Sequence, residues 1–203
     1  MKKICFYIVF LASMLVNVSL QASPIVTSFD NPSVFFSQGH TLGYAFSSDS
    51  SISITGLGFY DSNLDGFTSA HQVGLWDHVG TLLGQVDLSA GTGDILIDNF
   101  RYADLSSSIN LVAGATYFLA GTTVSDDWVY QASNIVMDTG INYLGSYYAT
   151  GAFVFPTNSA ISREYMTVNA ITSSVAVPEP TSIVLLAIGL VGFGLSRRNR
   201  LVN

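Results

Sequence analysis

Apolar residues alternate with small or polar residues along much of the chain, and this two-residue period is the feature that most constrains the fold. Leu42, Tyr44 and Phe46 form one such series, and Leu57 and Phe59 belong to the next. Because successive side chains of a strand point to opposite faces, this period predicts strands with one buried face. Similar patterns predict further strands at 72–76, 81–88, 94–102, 116–121, 127–132 and 165–171.

Turn-forming sequences separate these segments, among them Asp77-His78-Val79-Gly80 and Ala113-Gly114. Short strands at this spacing, without an amphipathic helix between them, predict an all-β chain with a single β-sandwich or jelly-roll-like domain. The segment 134–156 is rich in glycine and tyrosine and has no clear period. It is either a long loop or an irregular pair of edge strands.

The first 22 residues have the organisation of a secretory signal peptide. Lys2 and Lys3 precede an apolar run that is short for a membrane span, and the stretch from Asn17 to Ala22 is more polar and ends at a small residue. Cleavage between Ala22 and Ser23 fits best, because cutting one residue later would place Pro24 at the scissile bond. We therefore predict a signal peptide at 1–22, removed by signal peptidase, and an exported domain at 23–176.

The C-terminal tail, residues 177–203, combines a rigid hinge, an apolar segment and a cationic end. Pro178-Glu179-Pro180 forms the hinge, residues 181–196 predict a single transmembrane helix, and Arg197 and Arg198 would remain on the cytoplasmic side. This tail resembles a PEP-CTERM sorting signal, the mark of exoproteins that an exosortase processes. The resemblance implies cleavage near the hinge, a transient membrane anchor, and delivery to the surface or matrix of a Gram-negative bacterium that makes exopolysaccharide.

The charge of the exported domain excludes some partners. It contains no lysine and two arginines, Arg101 and Arg163, against twelve aspartates and Glu164, so its net charge is near −11. Nucleic-acid binding is excluded because so few cations cannot neutralise a phosphate backbone. Attraction to anionic lipid headgroups is excluded for the same reason.

The sequence Asp61-Ser62-Asn63-Leu64-Asp65-Gly66 suggests a calcium loop. Asp61, Asn63 and Asp65 would place oxygen ligands at alternate positions, and Gly66 would allow the sharp turn that follows them. The twelfth position is Gln72, which cannot supply a bidentate carboxylate, so an EF-hand is rejected. A calcium loop between two strands and a polar hairpin held by Asx-turns both remain open. Calcium is the one cofactor that the sequence suggests.

The residues around this loop resemble an uncharacterised β-sandwich domain that is common among PEP-CTERM exoproteins, over roughly 29–121. The resemblance rests on Gly56 to Asp61, His71 to Asp77, Phe100-Arg101-Tyr102 and Leu111 to Tyr117. It implies no activity. From the residues alone, Phe59 and Trp76 are expected to fill the sandwich core, and the Tyr117 hydroxyl is expected to reach a backbone group beside the turn at Gly114.

Catalytic motifs are missing from the exported sequence. The absence of lysine removes P-loop and Schiff-base chemistry, the only cysteine lies in the signal peptide, and no Gly-x-Ser-x-Gly elbow occurs. The three histidines have no recognised zinc spacing and are expected to be surface or half-buried residues. A glycan hydrolase built on two aspartates is a distant alternative.

Aromatic residues are concentrated in the second half of the domain. Trp128, Tyr130, Tyr147 and Tyr148 could stack on sugar rings, or they could be core and edge-strand packing. The sequence therefore predicts a non-enzymatic exported surface or matrix protein associated with exopolysaccharide or a biofilm. A calcium-assisted carbohydrate-binding module is the alternative.

Overall fold

All regular secondary structure that the computed structural model describes, over residues 22–30 and 32–173, is β-strand. The all-β prediction is thus confirmed. In chain order the strands are β1 (Ala22–Pro24), β2 (Val26–Asp30), β3 (Ser33–Phe35), β4 (His40–Ser48), β5 (Ile52–Tyr60), β6 (His71–Asp77), β7 (Leu82–Leu88), β8 (Ile95–Ile97), β9 (Phe100–Leu111), β10 (Thr116–Thr123), β11 (Trp128–Tyr130), β12 (Ser133–Met137), β13 (Ile141–Thr150), β14 (Asn158–Ser159) and β15 (Val168–Ser173).

The predicted signal peptide and sorting tail fall almost wholly outside the described residues. This applies to the membrane segment 181–196 and to Pro178, Glu179, Pro180, Arg197 and Arg198. Within residues 22–30 and 32–173, no helix has the length and apolarity to cross a membrane. Ala22 and Ser23, at the predicted signal cleavage site, lie in β1 opposite Ser173 and Thr172.

The strands form two main antiparallel sheets and two short ribbons. One sheet has the order β1-β15-β5-β9-β8, and the other has the order β14-β13-β4-β10-β6-β7. The ribbons pair β11 with β3 and β12 with β2. The sheets face each other, since a side chain at Gly121 of β10 would meet Phe59 of β5 and Val168 of β15. The predicted β-sandwich is therefore present.

The alternating residues of the central strands supply the core. Tyr44, Phe46, Leu57, Phe59 and Leu119 are all fully buried. Burying each such side chain contributes about 1.5–3 kcal/mol before the entropy of ordering the chain is subtracted. The two-residue period therefore fixes which face of each strand points inward.

The turn between β9 and β10 is closed by a tyrosine. The Tyr117 hydroxyl accepts a hydrogen bond from the Val112 backbone N–H at 2.9 Å. Gly114, inside this turn, has φ +75°, which glycine adopts without steric cost. The predicted role of Tyr117 is confirmed.

Trp76 is buried, but not in the sandwich core where the sequence predicts it. Its ring lies 5.4 Å from Phe153 and 6.5 Å from Phe155, on the outer face of the six-stranded sheet. Gly74 leaves room for this packing, because a Cβ there would lie 2.6 Å from the indole. The segment after β13 therefore covers an apolar outer face, which the alternation pattern alone did not indicate.

Two segments differ from their predicted form. Residues 94–102 form a hairpin instead of one strand, because Asp98 and Asn99 make a two-residue turn with Asp98 at φ 53°. In 134–156 the loop alternative is wrong. This segment contains β13, which pairs with β4 along its length and has a register shift between Tyr143 and Gly145. That irregularity interrupts the two-residue alternation, so the sequence pattern does not predict this strand.

Candidate functional site

A cleft of about 520 Å³ lies beside the β3–β11 ribbon. We call it the aromatic cleft. It is lined by Phe35, Ser37, His40, Leu42, Trp128, Tyr148, Ser159, Ala160, Ile161, Arg163 and Tyr165. Its volume falls in the range of small-molecule and sugar-sized sites.

The rings that line the cleft form one contiguous cluster with Tyr130, which packs beside them. Trp128 lies edge-on to Phe35 at 5.4 Å and to Tyr165 at 5.5 Å between ring centroids. Tyr148 lies 6.5 Å from Tyr165, and Tyr130 lies 6.1 Å from Trp128. Such edge-to-face pairs are a favoured arrangement of aromatic rings. The cluster therefore brings together three of the four predicted glycan residues.

Strand register explains this convergence. Trp128 pairs directly with Phe35 across the β3–β11 ribbon, and Tyr148 pairs with Leu42 across β13 and β4. Leu42 belongs to the hydrophobic core, so Tyr148 extends the inner face of the six-stranded sheet into the cleft. The cleft is thus an opening of the sandwich interior between a main sheet and a short ribbon.

Tyr147 does not join this cluster. As the neighbour of Tyr148 on one strand, it points to the opposite face, where it packs edge-on against Phe118 at 4.9 Å. Tyr147 and Phe118 belong to the outer aromatic group with Trp76 and Phe155. The sequence could suggest two adjacent tyrosines for one site, but a strand cannot present both to it.

Two polar groups of the cleft, the Trp128 indole N–H and the Arg163 guanidinium, have no carboxylate partner among the described residues, although a hydrogen bond with Tyr165 raises the pKa of Arg163. The buried indole N–H of Trp128 has no hydrogen-bond partner within the described part of the chain. Arg163 is exposed, and its guanidinium carbon lies 5.5 Å above the Tyr130 ring. Across the same described residues, Arg163 forms no salt bridge. A cation–π contact holds this arginine in place without neutralising its charge.

Glu164 follows Arg163 in the sequence, but its carboxylate does not pair with Arg163. Glu164 accepts hydrogen bonds from the hydroxyls of Tyr143 and Ser146. Burial, followed by the hydrogen bond to Glu164, raises the pKa of Tyr143, so its hydroxyl keeps the proton that it donates. Glu164 is therefore engaged with the sheet and does not offset the charge of Arg163.

A second hollow, of about 360 Å³, contains the predicted calcium loop. We call it the acidic pocket. It is lined by Tyr60, Asp61, Ser62, Asn63, Asp65, Gly66, Phe67, Thr68, Ser125, Asp126 and Asp127. Asp126 and Asp127, in the loop between β10 and β11, both contribute to it.

Asp61 is engaged by an arginine. Its Oδ2 atom accepts the Arg101 Nε–H at 2.7 Å and the Gly66 N–H at 3.0 Å, and both charged side chains are buried. The other guanidinium nitrogens donate to the carbonyl oxygens of Thr92, Asp94 and Leu64 at 3.2–3.4 Å. A carboxylate and backbone carbonyls are also ligands that calcium would use. In this fold these oxygen atoms surround the positively charged guanidinium of Arg101.

Asp126, the second engaged aspartate of the acidic pocket, is hydrogen-bonded to His71. Oδ2 of Asp126 lies 2.9 Å from His71 Nε2, and its two oxygens accept the N–H groups of Thr68 and Ser69. His71 Nδ1 lies 2.9 Å from the Thr122 carbonyl, which can only accept a hydrogen bond. Partial burial opposes ionisation of Asp126, but hydrogen bonds from Thr68, His71 and Ser69 outweigh it and lower its pKa.

The expectation that the histidines are surface or half-buried is wrong for His71. Its side chain is fully buried and stacks on Phe59 with the ring centroids 3.9 Å apart. His40 is half-buried in the aromatic cleft and His78 is exposed.

The other two predicted calcium ligands, Asn63 and Asp65, are exposed. No group of three or more His, Cys, Asp or Glu side chains with metal-binding geometry occurs in residues 22–30 and 32–173. The calcium interpretation stays a prediction.

Comparison with protein families places the fold in a known group. A domain of unknown function, DUF4082, matches residues 28–167. The chain belongs to the DUF4082 family. Both hollows lie within the DUF4082 domain, whose description assigns no activity. No relative was found among curated proteins.

The PEP-CTERM protein-sorting motif matches residues 176–198. The resemblance of the tail is therefore confirmed, and with it an exported protein that is sorted by exosortase. The chain thus joins a DUF4082 domain to a sorting signal.

Of the residues that line the aromatic cleft, sequence reasoning named only Trp128 and Tyr148 as candidate site residues and missed, among others, Phe35, His40 and Arg163. Phe35 and His40 precede the other aromatic residues by roughly ninety positions, and only strand pairing brings them together. Arg163 could have been recognised from the sequence as a candidate site residue, because it is one of two arginines in a domain without lysine and lies close to Tyr165.

Proposed function

We propose that the exported domain is a non-enzymatic protein of the cell surface or extracellular matrix that binds exopolysaccharide in the aromatic cleft. The observation that carries this proposal is the contiguous cluster of rings around an open hollow. Phe35 is 53% exposed, so a ring face is available at the rim. Aromatic faces stack on the C–H faces of pyranose rings, and exported proteins of exopolysaccharide-making bacteria meet such chains.

The composition of the cleft supports binding over hydrolysis. Glycoside hydrolysis requires two carboxyl groups on either side of the scissile bond. The lining residues of the aromatic cleft include no aspartate or glutamate. In the acidic pocket, where aspartates do occur, Asp61 and Asp126 are engaged by Arg101 and His71. A sugar bound among the rings would thus meet no acid–base pair.

Calcium-assisted carbohydrate binding through Asp61, Asn63 and Asp65 is the alternative. It would place a second cation beside Arg101 on the buried Asp61 carboxylate, whose Oδ2 already accepts the Arg101 Nε–H. Bringing a hydrated ion into that buried position is costly. We therefore favour sugar binding without calcium, and chelation separates the two proposals.

The test uses affinity electrophoresis of the exported protein in gels containing the exopolysaccharide of the producing bacterium. Phe35→Ala and Tyr148→Ala should each weaken retention about tenfold, the effect of losing roughly 1.4 kcal/mol of contact. The chain offers matched controls in Phe36→Ala, which removes a neighbouring exposed ring that does not line the cleft, and Tyr147→Ala on the outer face. Absence of retention of the native protein, or equal losses in the controls, would overturn the proposal.

The export and processing of the protein can be tested separately. We propose that signal peptidase removes residues 1–22 and that exosortase cuts near Pro178-Glu179-Pro180. The intact mass of the exported protein should then lack Met1 to Ala22 and the residues after about Glu179. An exported species that retains Arg200 would contradict exosortase cleavage.

A further inference from the structure

The charged residues that line the aromatic cleft are of opposite sign to most charged residues of the domain. The domain has thirteen carboxylates against two arginines, yet the cleft lining includes Arg163 and His40 and no carboxylate. Glu164, which could have neutralised Arg163, bonds to Tyr143 and Ser146 instead. In a strongly acidic protein, an uncompensated cation in a hollow favours an anionic ligand.

From this we propose that the aromatic cleft recognises acidic sugars, with the Arg163 guanidinium pairing with the carboxylate of a uronic acid residue in the exopolysaccharide. This inference rests on the proposed function and narrows it to one class of sugar. A uronic acid combines a pyranose ring with a carboxylate on the same residue. The cleft offers the matching pair, ring faces beside a guanidinium.

The position of Arg163 suits this pairing. Its guanidinium is held above the Tyr130 ring, and Tyr130 in turn packs against Trp128 and Tyr165. A guanidinium has a planar fork of N–H donors that can bind a carboxylate at two points. Because Arg163 is exposed and forms no salt bridge among the described residues, a ligand carboxylate can approach its guanidinium from solvent without displacing another carboxylate.

The net negative charge of the domain favours some anionic ligands over others. A nucleic acid carries a dense row of phosphates, which one exposed arginine cannot offset against a net charge near −11. A uronic acid polysaccharide carries at most one carboxylate per sugar, and neutral sugars can separate these charges. Local pairing at Arg163 can therefore outweigh long-range repulsion, which salt screens beyond about 8 Å at physiological ionic strength.

The test compares two forms of the same exopolysaccharide: the native polymer, and the polymer whose uronic acids have been reduced to neutral hexoses by carbodiimide and borohydride. We expect affinity electrophoresis, with chelator present, to retain the native protein about tenfold more strongly on the unreduced polymer. Arg163→Gln should remove this preference, and Arg163→Lys should keep part of it because a lysine retains charge but not the planar fork. Asp104→Asn, which changes an exposed charge outside both hollows, should leave it unchanged.

The outcomes distinguish this inference from the function on which it rests. Equal retention on both polymer forms would overturn the acidic-sugar inference and leave exopolysaccharide binding standing. A preference for the unreduced polymer that Arg163→Gln leaves intact would overturn the assignment to Arg163. Absence of retention on either form would overturn the proposed function together with the inference.

Discussion

The acidic pocket and the aromatic cleft differ in what their charged groups contact. In the acidic pocket, Asp61 binds Arg101 and Asp126 binds His71, each with backbone N–H groups as further donors. In the aromatic cleft, Arg163 rests on a ring and has no carboxylate partner within the described residues. Two of the four aspartates of the acidic pocket, Asp61 and Asp126, are engaged by the fold, whereas the arginine of the aromatic cleft has no carboxylate partner among the described residues.

This difference shows why the number of charged residues is a poor guide to a binding site. The acidic pocket has four aspartates in its lining and would be the first choice from composition. However, a buried ion pair with satisfied hydrogen bonds holds its loops together and has little left to offer a ligand. The aromatic cleft, with one exposed cation, is the better candidate for recognition.

Asp61→Ala should give the largest loss of stability. It leaves the Arg101 guanidinium buried without its carboxylate, and we expect the free energy of unfolding to fall by about 3–5 kcal/mol. Urea unfolding measures this effect. Asp65→Ala in the same loop is the matched control, and since Asp65 is exposed its effect should stay within about 0.5 kcal/mol. Similar losses in both variants would show that the buried ion pair does not hold the loop.

Asp126→Asn should have a smaller effect that depends on pH. Losing the charge-assisted hydrogen bonds should cost about 1–2 kcal/mol at neutral pH. Because the fold lowers the pKa of Asp126, this stabilisation is present above the unfolded value near 3.9 and is lost as pH falls through the folded value. Urea unfolding at several pH values should show the native protein and variant converging below about pH 4.

The neighbouring variant, Asp127→Asn, is the control for this pH dependence. Asp127 lines the same pocket but accepts no side-chain hydrogen bond within the described residues. Its stability should therefore follow that of the native protein at every pH. A gap between the native protein and Asp126→Asn that is independent of pH would contradict the role given to the carboxylate.

Variants of the aromatic cleft should separate binding from stability. Phe35→Ala and Arg163→Gln change exposed side chains, so each should alter the free energy of unfolding by less than about 1 kcal/mol. The same variants should weaken exopolysaccharide binding or abolish its preference for acidic sugars. If either unfolded as readily as Asp61→Ala, the cleft would be a structural element, and the contrast between the two hollows would fail.

The sequence was sufficient for the fold class because alternation depends on local geometry. Tyr44, Phe46 and Phe59 point inward as the two-residue period requires, and Tyr117 closes its turn as predicted. The same rule failed for β13, where the irregularity at Gly145 interrupts the period. It also failed for Trp76, because a later segment covers the outer face of its sheet.

The candidate site was less predictable because it depends on contacts between distant residues. Trp128 and Tyr148 could be suggested from aromatic content alone, but Phe35 is joined to Trp128 only through strand pairing. The partner of Asp61 is forty positions away, at Arg101, so the loop sequence could not reveal that its carboxylate is engaged. Local patterns thus indicated suitable ligands, and only the fold showed which of them remain free.

Calcium removal should have the smallest effect. If Arg101 already balances Asp61, a chelator should shift the melting temperature of the exported protein by less than about 1 °C, whereas a calcium ion at 100 times its Kd would stabilise the fold by about 2.7 kcal/mol. Differential scanning calorimetry with calcium and with chelator measures this shift, and Asp65→Asn is the control. A drop of several degrees in the native protein but not in Asp65→Asn would restore calcium to the loop. It would also mean that Arg101 and the metal share one set of oxygen ligands.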